Sequence, residues 1–236
     1  MVEQRMVEEM VKIPEEMSSE LAEGLGAHIG DGSMGIYNKT HLISFSGHQV
    51  DDKEYVEWVQ ENFKQLFGLD PNLRTWSGTY GFQVSSKKIV EFMRNIGIPL
   101  GPKNNIKIPE IIKKSNQEII ASCIRGIFDT DGTLYFEPKY GKKPYYPRIQ
   151  LKNKSKELAE DVHEMLQDMK IRSTTYSNKE KDGIYHFVEV RGEENLFKWM
   201  KKISFRNKKH LNKFKIWRKL GYYDKKQFKK SISSTS

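Results

Sequence analysis

The second half of the chain echoes the first, and this repeat constrains the fold more than any single motif does. Gly26, Asp31 and Gly32 recur as Gly126, Asp131 and Gly132, an offset of 100 residues. Val84 recurs as Val190 at an offset of 106. The apolar series Ile89, Val90, Phe92, Met93 and Ile96 returns at an offset of 107 as Leu196, Phe197, Trp199, Met200 and Ile203. The drift places extra residues in the second copy, at Lys139–Lys143 and Lys179–Gly183, both polar and both containing glycine.

Each copy reads in the same order. A helix ending at Asp-Gly is followed by a hairpin of alternating strands, Ser33–Gly47 or Thr133–Lys152. An amphipathic helix comes next, Asp51–Phe67 or Ser155–Met169. A second strand pair closes at Phe82–Val84 or Phe187–Val190, and a final helix covers Ser86–Ile96 or Glu193–Ile203. The expected architecture is α+β, two pseudo-symmetric αββαββα halves. Residues 1–17 read as an N-terminal extension, 18–98 as the first half, 99–116 as a linker, 117–207 as the second half and 208–236 as a basic tail. Proline, glycine and asparagine cluster in the linker, within Pro99–Lys114. The tail is expected to add a helix over Lys208–Phe228 and to fray from Lys229.

Composition narrows the function classes. No apolar stretch approaches the roughly 20 residues that span a bilayer, so no membrane partner is expected. Met1–Glu23 is acid-rich and lacks the pattern of a secretory signal. Cys123 is the only cysteine, which excludes an intramolecular disulfide and a cysteine-rich zinc site. A cytoplasmic location is expected, or an organellar one in a eukaryote. The net charge of +9 is concentrated: between Lys198 and Lys230, fourteen Lys and Arg residues stand against one acid, Asp224. Trp199, Phe205, Phe214, Trp217, Tyr222 and Tyr223 interleave them, a pattern that favours a polyanionic partner. A solvated basic face over a packed apolar stripe accounts for the same pattern, and charge alone does not decide between them.

The Asp-Gly helices carry more. Gly26 and Gly30 are four apart, as are Gly126 and Thr130, so each helix has a face of small residues that lets another backbone come close. Two such faces in one chain suggest that the helices pack together across a pseudo-two-fold axis. Gly32 and Gly132 suit the left-handed position that stops a helix. Asp31 and Asp131 then lie at helix C-termini, where the helix dipole disfavours a carboxylate by a few tenths to about 1 kcal/mol. Two such helices side by side also bring like charges together. A divalent cation between them resolves both conflicts, with the carbonyl oxygens of Gly30 and Thr130 as further hard ligands for Mg²⁺, or for Mn²⁺ in its place. A single Asp-Gly is an ordinary helix stop; a matched pair opening the same strand pattern points to a site.

The segments GLGAHIGDG (Gly24–Gly32) and IRGIFDTDG (Ile124–Gly132) resemble the two signature helices of single-chain LAGLIDADG homing endonucleases. The resemblance extends, with the order of elements, from Ser18 to Tyr223. It implies a monomer of two lobes whose twin four-stranded antiparallel sheets form a saddle over the major groove of double-stranded DNA. It further implies that Asp31 and Asp131 bind Mg²⁺, assisted by the carbonyls of Gly30 and Thr130, and that each half hydrolyses one strand across the minor groove. The family pattern of an amide near the end of the second strand and a cation near the end of the fourth falls on Asn153 and Arg191. The first copy has Gly47 and Ser85 at those places. Lys87 or Lys88 is the nearest substitute for the cation there, and His48 for the amide, so unequal halves are expected. The strand residues expected to meet DNA are Tyr37, Lys39, His41, Arg74, Trp76, Tyr80, Tyr135, Lys142, Lys143, Tyr145, Arg148, Gln150, Lys152, Arg172 and Tyr176. Arginine suits guanine, glutamine suits adenine, and lysine mainly positions on phosphate.

His28, one turn before Asp31, is expected to pack or face solvent rather than act as a base. Asp129 is expected to cap or pair locally, and Cys123 to be a small buried hydrophobe. Two other readings remain on the same scaffold: an RNA maturase with intron RNA as partner, and a DNA-binding protein that does not cut. An intein nuclease would start at Cys or Ser and end in His-Asn. Met1 and Ile232–Ser236 read instead as a free-standing or intron-encoded protein.

Overall fold

The computed structural model describes residues 8–233. Helix α1 (Ser19–Asp31) starts at Ser18, whose hydroxyl accepts the Leu21 N–H at 3.1 Å. It runs directly into β1 (Gly32–Tyr37), β2 (Thr40–His48), α2 (Lys53–Phe67), β3 (Arg74–Trp76), β4 (Thr79–Ser85) and α3 (Lys87–Asn95). A short α4 (Glu110–Lys113) leads to the second copy. That copy comprises α5 (Gln117–Thr130), β5 (Gly132–Glu137), β6 (Tyr146–Asn153), α6 (Lys156–Asp168), β7 (Ser173–Glu180), β8 (Gly183–Arg191) and α7 (Glu193–Lys202). The chain ends in α8 (Lys208–Leu220) and α9 (Lys225–Ser233).

The two sheets are antiparallel and share one topology, β1-β2-β4-β3 and β5-β6-β8-β7. Their registers match as well: Ile43 opposes Val84 as Ile149 opposes Val190. Alternation buries one face of each sheet beneath its amphipathic helices. Phe45, Phe82 and Val84 meet Val56, Val59 and Phe63 in the first half, and Ile149, Leu151 and Val188 join Leu158, Val162 and Trp199 in the core of the second. The opposite face of each sheet is left open.

Helices α1 and α5 pack along each other through the small faces anticipated from sequence. A Cβ on Gly26 would overlap the Cys123 carbonyl oxygen, and one on Gly126 the Glu23 carbonyl oxygen. At this contact Glu23, 1% exposed, accepts Arg125 Nη2 at 2.6 Å and Arg206 Nε at 2.5 Å. One carboxylate thus ties the first helix to the second and to the segment before α8.

Several details depart from expectation. Gly32 is extended (φ −76°, ψ 159°), not left-handed, and Gly132 likewise opens a strand. Each helix passes straight into its strand, and glycine is required because a Cβ would run into the turn behind, at His28 or Phe128. The segment 99–114 is no solvated loop: Ile106, Ile108 and Ile112 are fully buried, and the Ser155 hydroxyl donates to the Ile106 carbonyl at 2.5 Å. The insertion at 179–183 extends a hairpin, since Lys179 pairs with Ile184 and Glu180 with Gly183. The basic tail breaks at Gly221 (φ +74°) into two helices; Lys229–Ser233 is helical, and the rest of the segment expected to fray lies outside the described residues.

Candidate functional site

Because α1 and α5 touch, their C-terminal ends stand together. A methyl group on Gly30 would overlap the Thr130 hydroxyl and lie 3.5 Å from Asp131 Cγ, so the second carboxylate sits against the end of the first helix. Asp31 opens to solvent on its outer side. Its packed surroundings, then the charges of Asp131 and Asp52, push it up to about 6, against the pull of Lys209 and Lys103. Burial raises Asp131 too, opposed by Lys103, the Asn153 amide and Lys209. Asn153 Nδ2 donates to Asp131 Oδ2 at 3.1 Å, which places this amide at the second carboxylate.

The cations at the site are not those expected from sequence. Arg191 closes β8 opposite Arg148, at the other end of the sheet from Asp131, and is held by Glu189. Strand β8 runs antiparallel to β6, so its end points away from the helix pair. Lys87 is 64% exposed and pairs with Glu91 on its own helix at 3.6 Å, while the N–H groups of Lys87 and Lys88 cap on Glu8. Neither Lys87 nor Lys88 is among the charges that act most strongly on Asp31. The positions are taken by Lys103 and Lys209, which act on both carboxylates. They are 106 residues apart, close to the offsets that relate the strands and last helices of the two copies, but Lys103 lies in a loop and Lys209 in the first turn of α8.

Each lysine has its own anchor. Lys103 Nζ donates to the carbonyls of His28 (3.2 Å), Ile29 (2.8 Å) and Gly30 at the end of α1. Burial lowers its pKa, and Asp131 and Asp31 oppose that shift. Lys209 Nζ lies 2.8 Å from Asp52 Oδ1, which also accepts the Asn207 amide at 2.8 Å. Burial works to raise Asp52, but Lys209, Asn207 and the His48 backbone N–H together hold it below its usual range. Gly47, where an amide was missing, is what admits Asp52: a Cβ there would lie 2.8 Å from Asp52 Cβ. His48 does not replace the amide; its Nδ1 accepts the Asp51 N–H at 3.1 Å and caps its own turn.

The remaining polar candidates are structural. His28 is buried and pushed down to about 3 by that burial and by Lys103, so it is neutral near pH 7. Asp129 is fully buried and pairs across the chain rather than locally, accepting the Arg206 N–H at 2.7 Å. Cys123 is buried and its thiol is pushed up to about 12.

On the first sheet the open face carries Tyr37, Arg74 and Trp76, with the Arg74 guanidinium 5.4 Å from the Trp76 ring centre. Lys39 stands in the β1–β2 turn (φ +67°). Tyr80 and His41 do not belong to this face. Tyr80 shares the face that buries Phe82 and Val84, and its hydroxyl reaches Glu57 of α2 at 3.4 Å; His41 opposes Ile36 on the same side. On the second sheet Tyr135, Arg148, Gln150, Lys152 and Tyr176 share the open face. Arg172, just before β7, pairs with Glu194 at 3.0 Å. Tyr145 adjoins β6, Lys142 is exposed in the β5–β6 loop, and the Lys143 ammonium lies 4.2 Å from the Tyr222 ring centre.

Comparison with known proteins agrees with this arrangement. Residues 118–204 match the family model of a LAGLIDADG-like domain. I-DmoI, solved in complex with DNA and Mn, superposes with a TM-score of 0.58 at 20% identity, over 80% of this chain and 98% of that one. The I-LtrWI LAGLIDADG homing endonuclease bound to target DNA superposes with a TM-score of 0.53 at 12% identity, over 91% and 96%. Among curated proteins, 131 residues are 30% identical to glutamine–fructose-6-phosphate aminotransferase of Methanocaldococcus jannaschii, 55% of this chain and 11% of that protein. A further match, 26% identical over 207 residues, is tRNA-splicing ligase RtcB of Methanopyrus kandleri, 78% of this chain and 20% of that protein. The chain thus spans a tenth to a fifth of the length of these curated relatives. The family match falls on the second half, and the chain as a whole has the fold of the LAGLIDADG homing endonucleases.

Proposed function

We propose that this chain, having the fold of the LAGLIDADG homing endonucleases, is a metal-dependent, site-specific endonuclease that acts as a monomer on double-stranded DNA. One observation carries the reading: Asp31 and Asp131 are brought together at adjoining helix ends, with Lys103 and Lys209 beside them. The aminotransferase and the ligase are named for unrelated activities and are matched over only 11% and 20% of their lengths, so neither activity carries over to this chain.

The site suits a hard divalent cation. Asp31, Asp131 and Asp52 outnumber Lys103 and Lys209, and Asp31 is raised by its acidic neighbours, so one more positive charge is stabilising there. Among the described residues no three acidic, histidine or cysteine side chains are placed to hold one metal ion together. The two signature carboxylates therefore supply the side-chain ligands, and water and phosphate oxygens complete the set, as Mg²⁺ and Mn²⁺ accept, the Gly30 carbonyl being taken by Lys103. When bound, such a cation polarises a scissile phosphate and lowers the pKa of water beside it.

The chain's own groups do the rest. Asn153 orients the Asp131 carboxylate through its amide hydrogen bond. Lys103 and Lys209 hold positive charge where negative charge grows on a phosphate during hydrolysis, a preorganised electrostatic contribution. Asp52 fixes Lys209 in the first half, whereas Asn153 acts directly on Asp131 in the second, so the halves cut unequally. The two open sheet faces flank this centre and present Arg, Gln, Tyr and Trp side chains to the major groove, while the basic tail adds charge for phosphate.

The test is a cleavage selection on a randomised duplex library with Mg²⁺. Wild type yields double-strand cuts at one family of sequences, and EDTA abolishes them. The Asp31→Asn/Asp131→Asn variant retains binding in a gel shift but does not cut. Cutting by that variant, or wild type that only binds intron RNA and promotes its splicing, overturns the reading.

A further inference from the structure

The open face of the second sheet holds a charged arrangement that the first sheet lacks. Arg148 on β6 stands directly opposite Arg191 on β8. Like charges opposed across neighbouring strands are destabilising, so such a pair persists only with a compensating partner. That partner is Glu189, one step diagonally across. Its carboxylate is 2% exposed although its strand position is on the open face. Glu189 Oε1 accepts Arg148 Nη1 at 2.9 Å and the Tyr135 hydroxyl at 2.9 Å, and Oε2 accepts Arg191 Nε at 2.6 Å. Arg191 Nη2 bonds the same oxygen. Arg148 Nε is taken by Glu137 Oε2 at 2.6 Å. The guanidiniums themselves are reachable, with side-chain exposures of 21% for Arg148 and 47% for Arg191.

A guanidinium has five N–H groups. After the bonds to Glu137 and Glu189, each arginine keeps at least one N–H on both Nη1 and Nη2, enough donors to meet guanine O6 and N7. Neighbouring strands are about 4.8 Å apart and stacked base pairs about 3.4 Å apart, so the two forks address base pairs next to or near each other. On the first sheet the equivalent places hold Leu42, Ser85, Gln83 and Gly35 in the positions of Arg148, Arg191, Glu189 and Tyr135. No fixed pair of guanidiniums exists there.

Building on the endonuclease reading, we infer that Glu189 is a specificity-determining positioning residue. It locks Arg148 and Arg191 into a preorganised double fork that reads two guanines in the half-site lying under the second sheet. A fixed fork loses less side-chain freedom on binding and discriminates more sharply than a mobile one. Glu189 acts through the arginines and does not touch DNA itself.

The experiment compares wild type with Glu189→Gln, which keeps shape and removes charge, in the same randomised-duplex selection. Wild type is expected to require guanine at two nearby positions on one side of the cut. In Glu189→Gln that preference falls roughly tenfold or more, within the range set by one bidentate pair, while preferences across the cut and the cleavage rate on saturating cognate duplex are unchanged. A variant with the wild-type profile, or one whose preferences relax equally on both sides, overturns the inference and leaves the endonuclease reading intact. Wild type that selects no sequence at all overturns both. Should Glu189→Gln fail to fold by circular dichroism, Arg148→Lys and Arg191→Lys carry the test. Each must abolish one of the two guanine preferences, and retention of both refutes the fork.

Discussion

Replacing Asp31 with asparagine is expected to stabilise the metal-free protein while abolishing cleavage. In the folded chain Asp31 stands at about 6 against an ordinary 3.8, raised by burial, Asp131 and Asp52. A carboxyl raised by folding binds its proton more tightly in the native state than in the unfolded chain. Stability from this group is therefore intact below pH 4, is lost as pH rises from about 4 to 6, and stays lost above that window. Two pK units correspond to a ceiling of about 3 kcal/mol, but Asp31 is open to solvent on its outer side, and screening brings the expected penalty to about 1 kcal/mol. In a chain of this size that is roughly 2–4 °C in melting temperature. The assay is thermal unfolding in EDTA at low salt, from pH 4.5 to 8, for wild type and Asp31→Asn. The variant is expected to melt higher at pH 7.5, and the two curves to converge toward pH 4.5. Adding Mg²⁺ should reverse the order, since binding to the native state stabilises only a chain with both ligands. A variant that melts at or below wild type in EDTA at pH 7.5, with the same pH slope, refutes the account of two carboxylates forced together at helix ends.

Two further outcomes follow from the helix contact and one from the lysines. Gly126→Ala places a Cβ 2.7 Å from Ala27 N and onto the Glu23 carbonyl, so it should lower stability in urea by about 1–3 kcal/mol, with little change in the slope of the transition. Glu23→Ala leaves Arg125 and Arg206 without their shared buried carboxylate and should lose about 3 kcal/mol or more in the same measurement. Lys103→Met removes a charge that holds both signature carboxylates down, so the acid limb of cleavage against pH should move to higher pH.

The duplication made most of the fold legible. Asp-Gly, the small helix faces and the alternating strands appear twice, and each occurrence checks the other. What stayed hidden came from outside the matched windows. Lys103 lies in a Pro-Gly-Asn stretch that reads as a linker, and only the buried Ile106 and Ile108 show that this stretch is packed against the second half. Lys209 is one of fourteen cations in a basic run, and nothing local separates the one bound to Asp52 from the rest. The offset between them was visible: 106 residues, as for Val84 and Val190. Arg191 was misplaced for a topological reason. Its strand runs antiparallel to β6, so the ends of the second and fourth strands lie at opposite ends of the sheet, and only one can be near the Asp-Gly helix. Tyr80 failed on parity, since one residue along a strand moves a side chain to the other face.

The placement of the two lysines changes what counts as a half. Each follows the last helix of its own copy, in a segment that makes contact with the other copy. After Lys103 the chain crosses to the second half, where Ile108 N–H is accepted by Asp161 at 2.9 Å; Lys209 binds Asp52, which belongs to the first half. The signature carboxylates meet at the interface, and the cations reach it on the strands of chain that stitch the halves together. Asp52 takes its cationic partner from the other copy, and Asp129 accepts the Arg206 backbone N–H through one of its two oxygens. A chain cut to a single copy therefore lacks more than the second carboxylate. It loses either the Asp52 anchor or Lys209 itself, and the buried positions of the exit segments become exposed. The repeat explains the fold, while the site is assembled from the parts of the chain by which the two copies depart from each other.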